Sequence, residues 1–99
     1  MNIEKQTTNN SLSITLTGKL DTLTAPDLEA ELKTINEDIK ELILDFSALT
    51  YLSSAGLRVI LGAQKQMTKA GGSMIVKNVS DTIMEVFEIT GFKGILTIQ

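Results

Sequence analysis

The chain reads as one α/β domain built on a mixed β-sheet, and three observations predict this. Leu12, Ile14 and Leu16 alternate with Ser13, Thr15 and Thr17, the period-two pattern of a strand with one face covered. Leu42-Ile43-Leu44-Asp45-Phe46 is nearly unbroken apolar sequence, which predicts a central parallel strand covered on both faces. Between and after these strands lie segments whose apolar residues recur at helical spacing. Strands alternating with helices define an α/β layer.

Each element has its own local reason. Asn2 to Thr7 is a strand candidate, and Asn9-Asn10 is a turn, because Asn tolerates positive φ; a hairpin to the next strand is expected. Gly18 is expected to end that second strand, leaving Lys19-Leu20-Asp21-Thr22 as a loop. Thr24-Ala25-Pro26-Asp27 starts a helix: Thr24 is placed to cap it, Pro26 sits in the tolerant first turn, and Asp27 meets the positive end of the dipole. Leu28, Leu32 and Ile35 form its apolar stripe, and Asn36 to Lys40 closes it. A second helix is expected from about Ser54 to Ala70, stopped by Gly71-Gly72. Met74-Ile75-Val76 is the centre of a strand over Ser73 to Lys77. Ser80 then caps a third helix with Ile83, Val86, Phe87 and Thr90 on one face, ended by Gly91. Ile95 to Ile98 is expected to add a last short strand.

Composition narrows the function. The 99 residues are enough for a single domain, 1–99, and not for two. There is no cysteine, which fits a reducing compartment and removes thiol chemistry and thiolate metal sites. There is no histidine, the commonest general base and metal ligand. Net charge is −3 and the cations are scattered, so no basic stripe points to nucleic acid. Met1 to Thr8 is polar, unlike a signal peptide, and no apolar run approaches the ~20 residues that cross a bilayer. The expectation is a soluble, cytoplasmic protein with no cofactor, no metal and no membrane insertion.

The stretch from Asp45 to Leu61 carries the most information. A strand runs through a short loop into Ser53-Ser54 and the second helix. Ser54 is expected at the helix N-terminus as its N-cap, a role worth ~1 kcal/mol. The same position suits a phosphate, because free helix amides and the dipole favour an anion there. Ser53 is the competing acceptor. Arg58, the only arginine, lies one turn on from Ser54, and Gly56 lets the loop pass close to the sheet. At 100° per residue, Leu57, Ile60, Leu61, Gln64, Met67 and Thr68 form the predicted core stripe. Opposite them, Ala55, Val59 and Gly62 form a small, weakly apolar strip beside Ser54. Two readings of that strip stay open: packing on a neighbouring helix, or a docking surface next to a modifiable serine.

Asp21 and Asp45 each adjoin a strand end and are expected to face the start of the second helix. As a pair they suggest acid–base work, Mg²⁺ or nucleotide binding. Loop capping is the favoured reading, since no third ligand and no His-type base accompanies them. The sequence holds neither a Walker lysine motif nor a Rossmann glycine fingerprint. The expectation is a protein that is not an enzyme.

Leu44-Asp45-Phe46-Ser47, then Tyr51-Leu52-Ser53-Ser54-Ala55-Gly56-Leu57, resembles the signature of the STAS family, and within it the stand-alone bacterial anti-sigma factor antagonists. Gly18-Lys19-Leu20-Asp21, Gly71-Gly72 and Phe87 to Phe92 match the family layout as well, so the resemblance covers essentially the whole chain. It implies a mixed sheet of four to five strands with about three to four helices packed on it. It implies a phosphorylated residue at Ser54, flanked by Asp21 and Ser53. The implied partner is an anti-sigma factor with serine/threonine kinase activity, bound by the unphosphorylated antagonist so that the sigma factor is freed. A protein phosphatase resets the switch. One departure is Ser53, where many regulated members carry Asp. The family also implies an alternative: a constitutive subunit of a lipid-trafficking transporter or a signalling complex, in which Ser54 is only a cap and the strip a permanent interface.

Overall fold

The computed structural model describes residues Met1–Gln99. Four strands form one sheet in the order β1-β2-β3-β4. β1 (Asn2–Thr8) and β2 (Ser11–Leu20) make the expected antiparallel hairpin, with Thr8 opposite Ser11 and Asn9 turning at φ +55°. β3 (Glu41–Leu52) runs parallel to β2, and β4 (Ser73–Lys77) parallel to β3. Helix α1 (Ala25–Lys33) connects β2 to β3, and α2 (Ser54–Lys69) connects β3 to β4. After β4 come α3 (Asp81–Thr90) and one 3-10 turn (Phe92–Gly94). The last strand expected over Ile95 to Ile98 is reduced to a single parallel bridge, Val76 with Ile98.

Successive crossovers step across the sheet in the same direction. Right-handed crossovers that step the same way lay their helices on the same face. Only one face of β3 is therefore fully buried, which corrects the expectation of cover on both. Leu42, Leu44 and Phe46 are buried, while Ile43 and Asp45 between them are half-buried. Ile43 makes the run look unbroken, and it stands opposite Ile75 on the less covered face.

β2 does not end at Gly18 but continues to Leu20, because β3 is long enough to pair with it. Thr15 pairs with Asp45 but Thr17 with Ala48; Gly18 pairs with Leu49 but Lys19 with Tyr51. Each shift leaves one extra residue in β3, a bulge that bends and twists the strand. The inward positions therefore fall at Phe46, Leu49 and Leu52, three apart instead of two, and all three are buried. Thr50 fixes the second bulge by donating its hydroxyl to the Gly18 carbonyl at 3.0 Å. The bulged end of β3 delivers Ser53 and Ser54 to the rim of the sheet.

One contiguous core joins the sheet and the three helices. Phe87 on α3 meets Phe46 on β3 with ring centroids 6.4 Å apart. α2 buries Gly56, Leu57, Val59, Ile60, Ala63 and Met67. Leu61 and Gln64 are half-buried and Thr68 is exposed, so the true stripe is turned by about a quarter of a revolution from the predicted one. The cause is α1. The Gln66 amide donates to the Leu32 carbonyl at 2.9 Å, and Val59 and Ala63 line the crevice facing Leu32. The helix stops as expected: Gly71 at φ +76° lets Gly72 N–H reach the Met67 carbonyl (2.8 Å) and Gly71 N–H the Thr68 carbonyl (3.1 Å).

Candidate functional site

The candidate site is the junction of the β2 end, the β3 end and the start of α2. Ser53 N–H donates to the Leu20 carbonyl at 2.9 Å, fastening α2 to β2. Gly56 makes this closeness possible: a Cβ there would lie 2.8 Å from Leu20 Cγ and 2.9 Å from the Leu20 carbonyl oxygen. The expectation that Gly56 lets the backbone approach the sheet matches this geometry.

Ser53, not Ser54, is the N-cap, which corrects the sequence reading. Ser53 has extended backbone (φ −92°, ψ 172°), and its Oγ accepts the Gly56 N–H at 3.2 Å. Adjacent serines give no local signal of which one turns helical; the Ser53–Leu20 bond, a long-range contact, decides it. Ser54 is consequently the first helical residue, exposed, and its hydroxyl makes no hydrogen bond in the chain. The Ser54 and Ala55 N–H groups also lack a partner, as the first-turn amides of a helix do. Arg58, one turn further, is exposed and forms no ion pair.

The predicted strip comes apart. Ala55 is half-buried and Gly62 is exposed with nothing near its missing Cβ, so Gly62 does not serve close helix approach. Val59 is only 8% exposed and turns toward α1. For Val59 the packing reading is the correct one.

Asp21 lies beside this junction, directly after Leu20. Its Oδ1 accepts the Leu23 N–H (3.0 Å) and the Thr24 N–H (3.1 Å), forming a turn. These bonds hold its carboxyl below the ordinary value of 3.8: the Thr24 N–H contributes most, desolvation opposes it, and the Leu23 N–H, the Thr24 hydroxyl and Lys19 add to it. Thr24 occupies the expected cap position of α1, but its hydroxyl does not cap. It donates to the Lys19 carbonyl at 2.8 Å and accepts the Asp21 N–H at 2.9 Å. The rigid turn holds Leu23 out in water, 86% exposed. Tyr51, on the bulged end of β3, is 51% exposed. The sequence reading missed both as candidate contacts. Leu23 carried a faint signal, an apolar residue among turn formers and outside any period.

Asp45 does not join Asp21. It pairs with Thr15, six residues before Asp21, which places the two about 20 Å apart along the strand direction. Its Oδ1 accepts the Asn78 amide (3.0 Å) and the Ser47 N–H (2.9 Å), so it ties β3 to the β4–α3 connection. The Asn78 bond is the main cause of its lowered pKa, with burial opposing and Ser47 and Lys77 assisting. The expectation that both carboxylates face α2 is overturned, because β3 runs on past Asp45 to Leu52 before α2 begins. No group of three or more carboxylate side chains converges elsewhere.

The chain thus presents a free, exposed serine hydroxyl at a helix N-terminus, on a four-stranded mixed sheet with helices on one face. The STAS domain matches residues 2–99, and the chain belongs to the STAS family. Among its relatives, the anti-sigma-B factor antagonist of Bacillus subtilis is 31% identical over 99 residues, spanning 100% of this chain and 91% of that protein. The anti-sigma factor antagonist SpoIIAA, solved in its unphosphorylated form, shares the fold with a TM-score of 0.79 at 22% identity, over 99% of this chain and 87% of that one. The Bacillus cell fate determinant SpoIIAA in the phosphorylated form gives 0.78 at 23% identity, over 99% and 91%. No helix of the chain is long and apolar enough to cross a membrane.

Proposed function

We propose that this chain is an anti-sigma factor antagonist switched at Ser54, with no catalysis of its own. Unphosphorylated, it binds in the cytoplasm an anti-sigma factor that is also a serine/threonine kinase, and so frees the sigma factor. The kinase transfers a phosphoryl group to Ser54 Oγ and the complex parts; a phosphatase restores the antagonist. The observation that carries this reading is the free, exposed hydroxyl of Ser54 at the first position of α2, with the cap role taken by Ser53.

The physical argument is local. A phosphate on Ser54 would meet the unpartnered amides of Ser54 and Ala55 and the dipole of a 16-residue helix, so it need not disturb the fold. It would add about −1.5 to −2 charges to the surface. Where a partner had dried that surface, an uncompensated charge costs a few kcal/mol, enough to shift binding by orders of magnitude. Asp21, Ser53, Ala55, Gly56 and Arg58 belong to the junction that holds the acceptor, Gly62 stands about 12 Å further along α2, and Leu23 and Tyr51 supply exposed apolar surface on the turn after β2 and the end of β3. Val59 acts only by holding α2 on α1. The existence of SpoIIAA in phosphorylated and unphosphorylated forms supports the reading by analogy of fold.

The test is a pull-down from host lysate with wild type, Ser54→Ala and Ser54→Asp as parallel baits, followed by phosphopeptide mapping. The expected result is a kinase held by wild type and Ser54→Ala and lost by Ser54→Asp, with phosphate on Ser54 and not Ser53. If all three baits retain the same transporter or scaffold proteins, the domain is a constitutive subunit and the switch is refuted.

A further inference from the structure

At the other end of α2 a second surface stands apart from Ser54. A groove of about 640 Å³ is lined by Leu61, Gln64, Lys65, Thr68, Lys69 and Ile95. Leu61, half-buried, and Ile95, 54% exposed, give it apolar walls. Lys65 and Lys69 stand one turn apart, both exposed and neither in an ion pair. The Gln64 side-chain oxygen has no hydrogen-bond partner within the chain. The charge of the helix is one-sided: α2 carries Arg58, Lys65 and Lys69 and no carboxylate.

α3 is its opposite. It carries Asp81, Glu85 and Glu88 and no cation. At 100° per residue these three and Ile89 fall within a sector of about 100°. Ile89 is 85% exposed, an apolar side chain held in water among carboxylates. Glu88 has only a long, solvated approach to Lys93, at 3.9 Å. An exposed apolar side chain among carboxylates and an apolar groove edged by unpaired ammonium groups are complementary in charge and in apolar character, and one chain carries both. Ile95, in the wall of the groove, follows Ile89 by six residues, and its N–H bonds the Phe92 carbonyl (2.9 Å). In an isologous pair each copy's Ile89 meets the other's groove, so the two contacts form together.

We propose that two copies of this chain associate about a two-fold axis, each seating Ile89 in the other's Leu61–Ile95 groove, with Glu85 and Glu88 against Lys65 and Lys69. The interface is a weak, reversible one. Lys65 lies about 16 Å along the α2 axis from Ser54, so association leaves the proposed switch open to its partner. The inference goes beyond the switch and stands without it.

Sedimentation equilibrium of the purified chain, from micromolar to millimolar, tests it. The expected result is a monomer–dimer equilibrium that weakens as salt rises. Ile89→Ser is expected to raise the dissociation constant by about tenfold or more. Lys65→Glu/Lys69→Glu and Glu85→Lys/Glu88→Lys are each expected to be monomeric alone and to pair when mixed, since mixing restores attraction at both contacts. All these positions are exposed, and unchanged melting temperatures confirm intact folding. Ser54→Asp is expected to dimerise like wild type. A chain that stays monomeric throughout, an Ile89→Ser variant that dimerises equally well, or charge-reversed variants that do not pair would overturn the proposal.

Discussion

Ser53 and Leu20 are joined by a backbone hydrogen bond of 2.9 Å that runs from the cap of α2 to the last residue of β2. This bond sets the position of everything chemical in the site. It makes Ser53 the cap, leaves the Ser54 hydroxyl free, and sets the Asp21–Thr24 turn beside both.

The two serines are therefore expected to respond differently to truncation. Ser53→Ala removes the bond to Gly56 N–H and is expected to cost about 1 kcal/mol, a fall in melting temperature of roughly 4–8 °C for a domain of this size. Ser54→Ala touches no contact and is expected to stay within about 0.5 kcal/mol of wild type. Thermal unfolding by circular dichroism checks both. An equal loss for the two variants would return the cap to Ser54.

The glycines of α2 provide a second contrast. Gly56→Ala drives a methyl group to within 3 Å of Leu20 and Leu52, backbone included. It is expected to destabilise by about 1–3 kcal/mol through overpacking. Gly62→Ala meets nothing within 4 Å, in the middle of a helix. It is expected to stabilise by about 0.5–1 kcal/mol, the ordinary gain of Ala over Gly. Urea titration reads both signs directly.

Acid should loosen the loops that Asp21 and Asp45 organise. Both carboxyls are held below 3.8, because the folded state hydrogen-bonds their charged forms. The unfolded chain then binds protons more readily than the folded one. The stability these groups provide is complete above about pH 4 and is lost as pH falls through their lowered values. NMR titration of the carboxyl carbons is expected to give midpoints below 3.8 for both. Asp21→Asn and Asp45→Asn are each expected to flatten the acid limb of the stability curve. Midpoints at or above the ordinary value would contradict the hydrogen-bonded turns.

Leu23 is an exposed apolar side chain on the turn that follows Leu20, the residue to which Ser53 is bonded. Leu23→Ser removes an almost fully solvated group, so its stability is expected to change by less than about 0.5 kcal/mol. Binding of the proposed anti-sigma partner, followed by calorimetry, is expected to weaken by about tenfold. Unchanged affinity would place the partner's contacts elsewhere on the rim.

What the sequence determined by itself is the order and kind of the elements and the neighbourhood of the site. Alternation at Leu12–Leu16, the helical recurrence of Leu28 and Leu32, and the Gly71-Gly72 stop are local signals, written in backbone preference and side-chain period. They put Ser53 and Ser54 at the head of a helix without help from the rest of the chain. Tertiary structure alone decided which serine caps, since that choice rests on the Leu20 carbonyl across the sheet. It also decided the rotation of α2, which α1 draws toward Val59 and Ala63, and the register that sets Asp45 opposite Thr15, away from Asp21. Each of these depends on what lies opposite a residue in space, and a one-dimensional pattern holds no term for a neighbour thirty residues away.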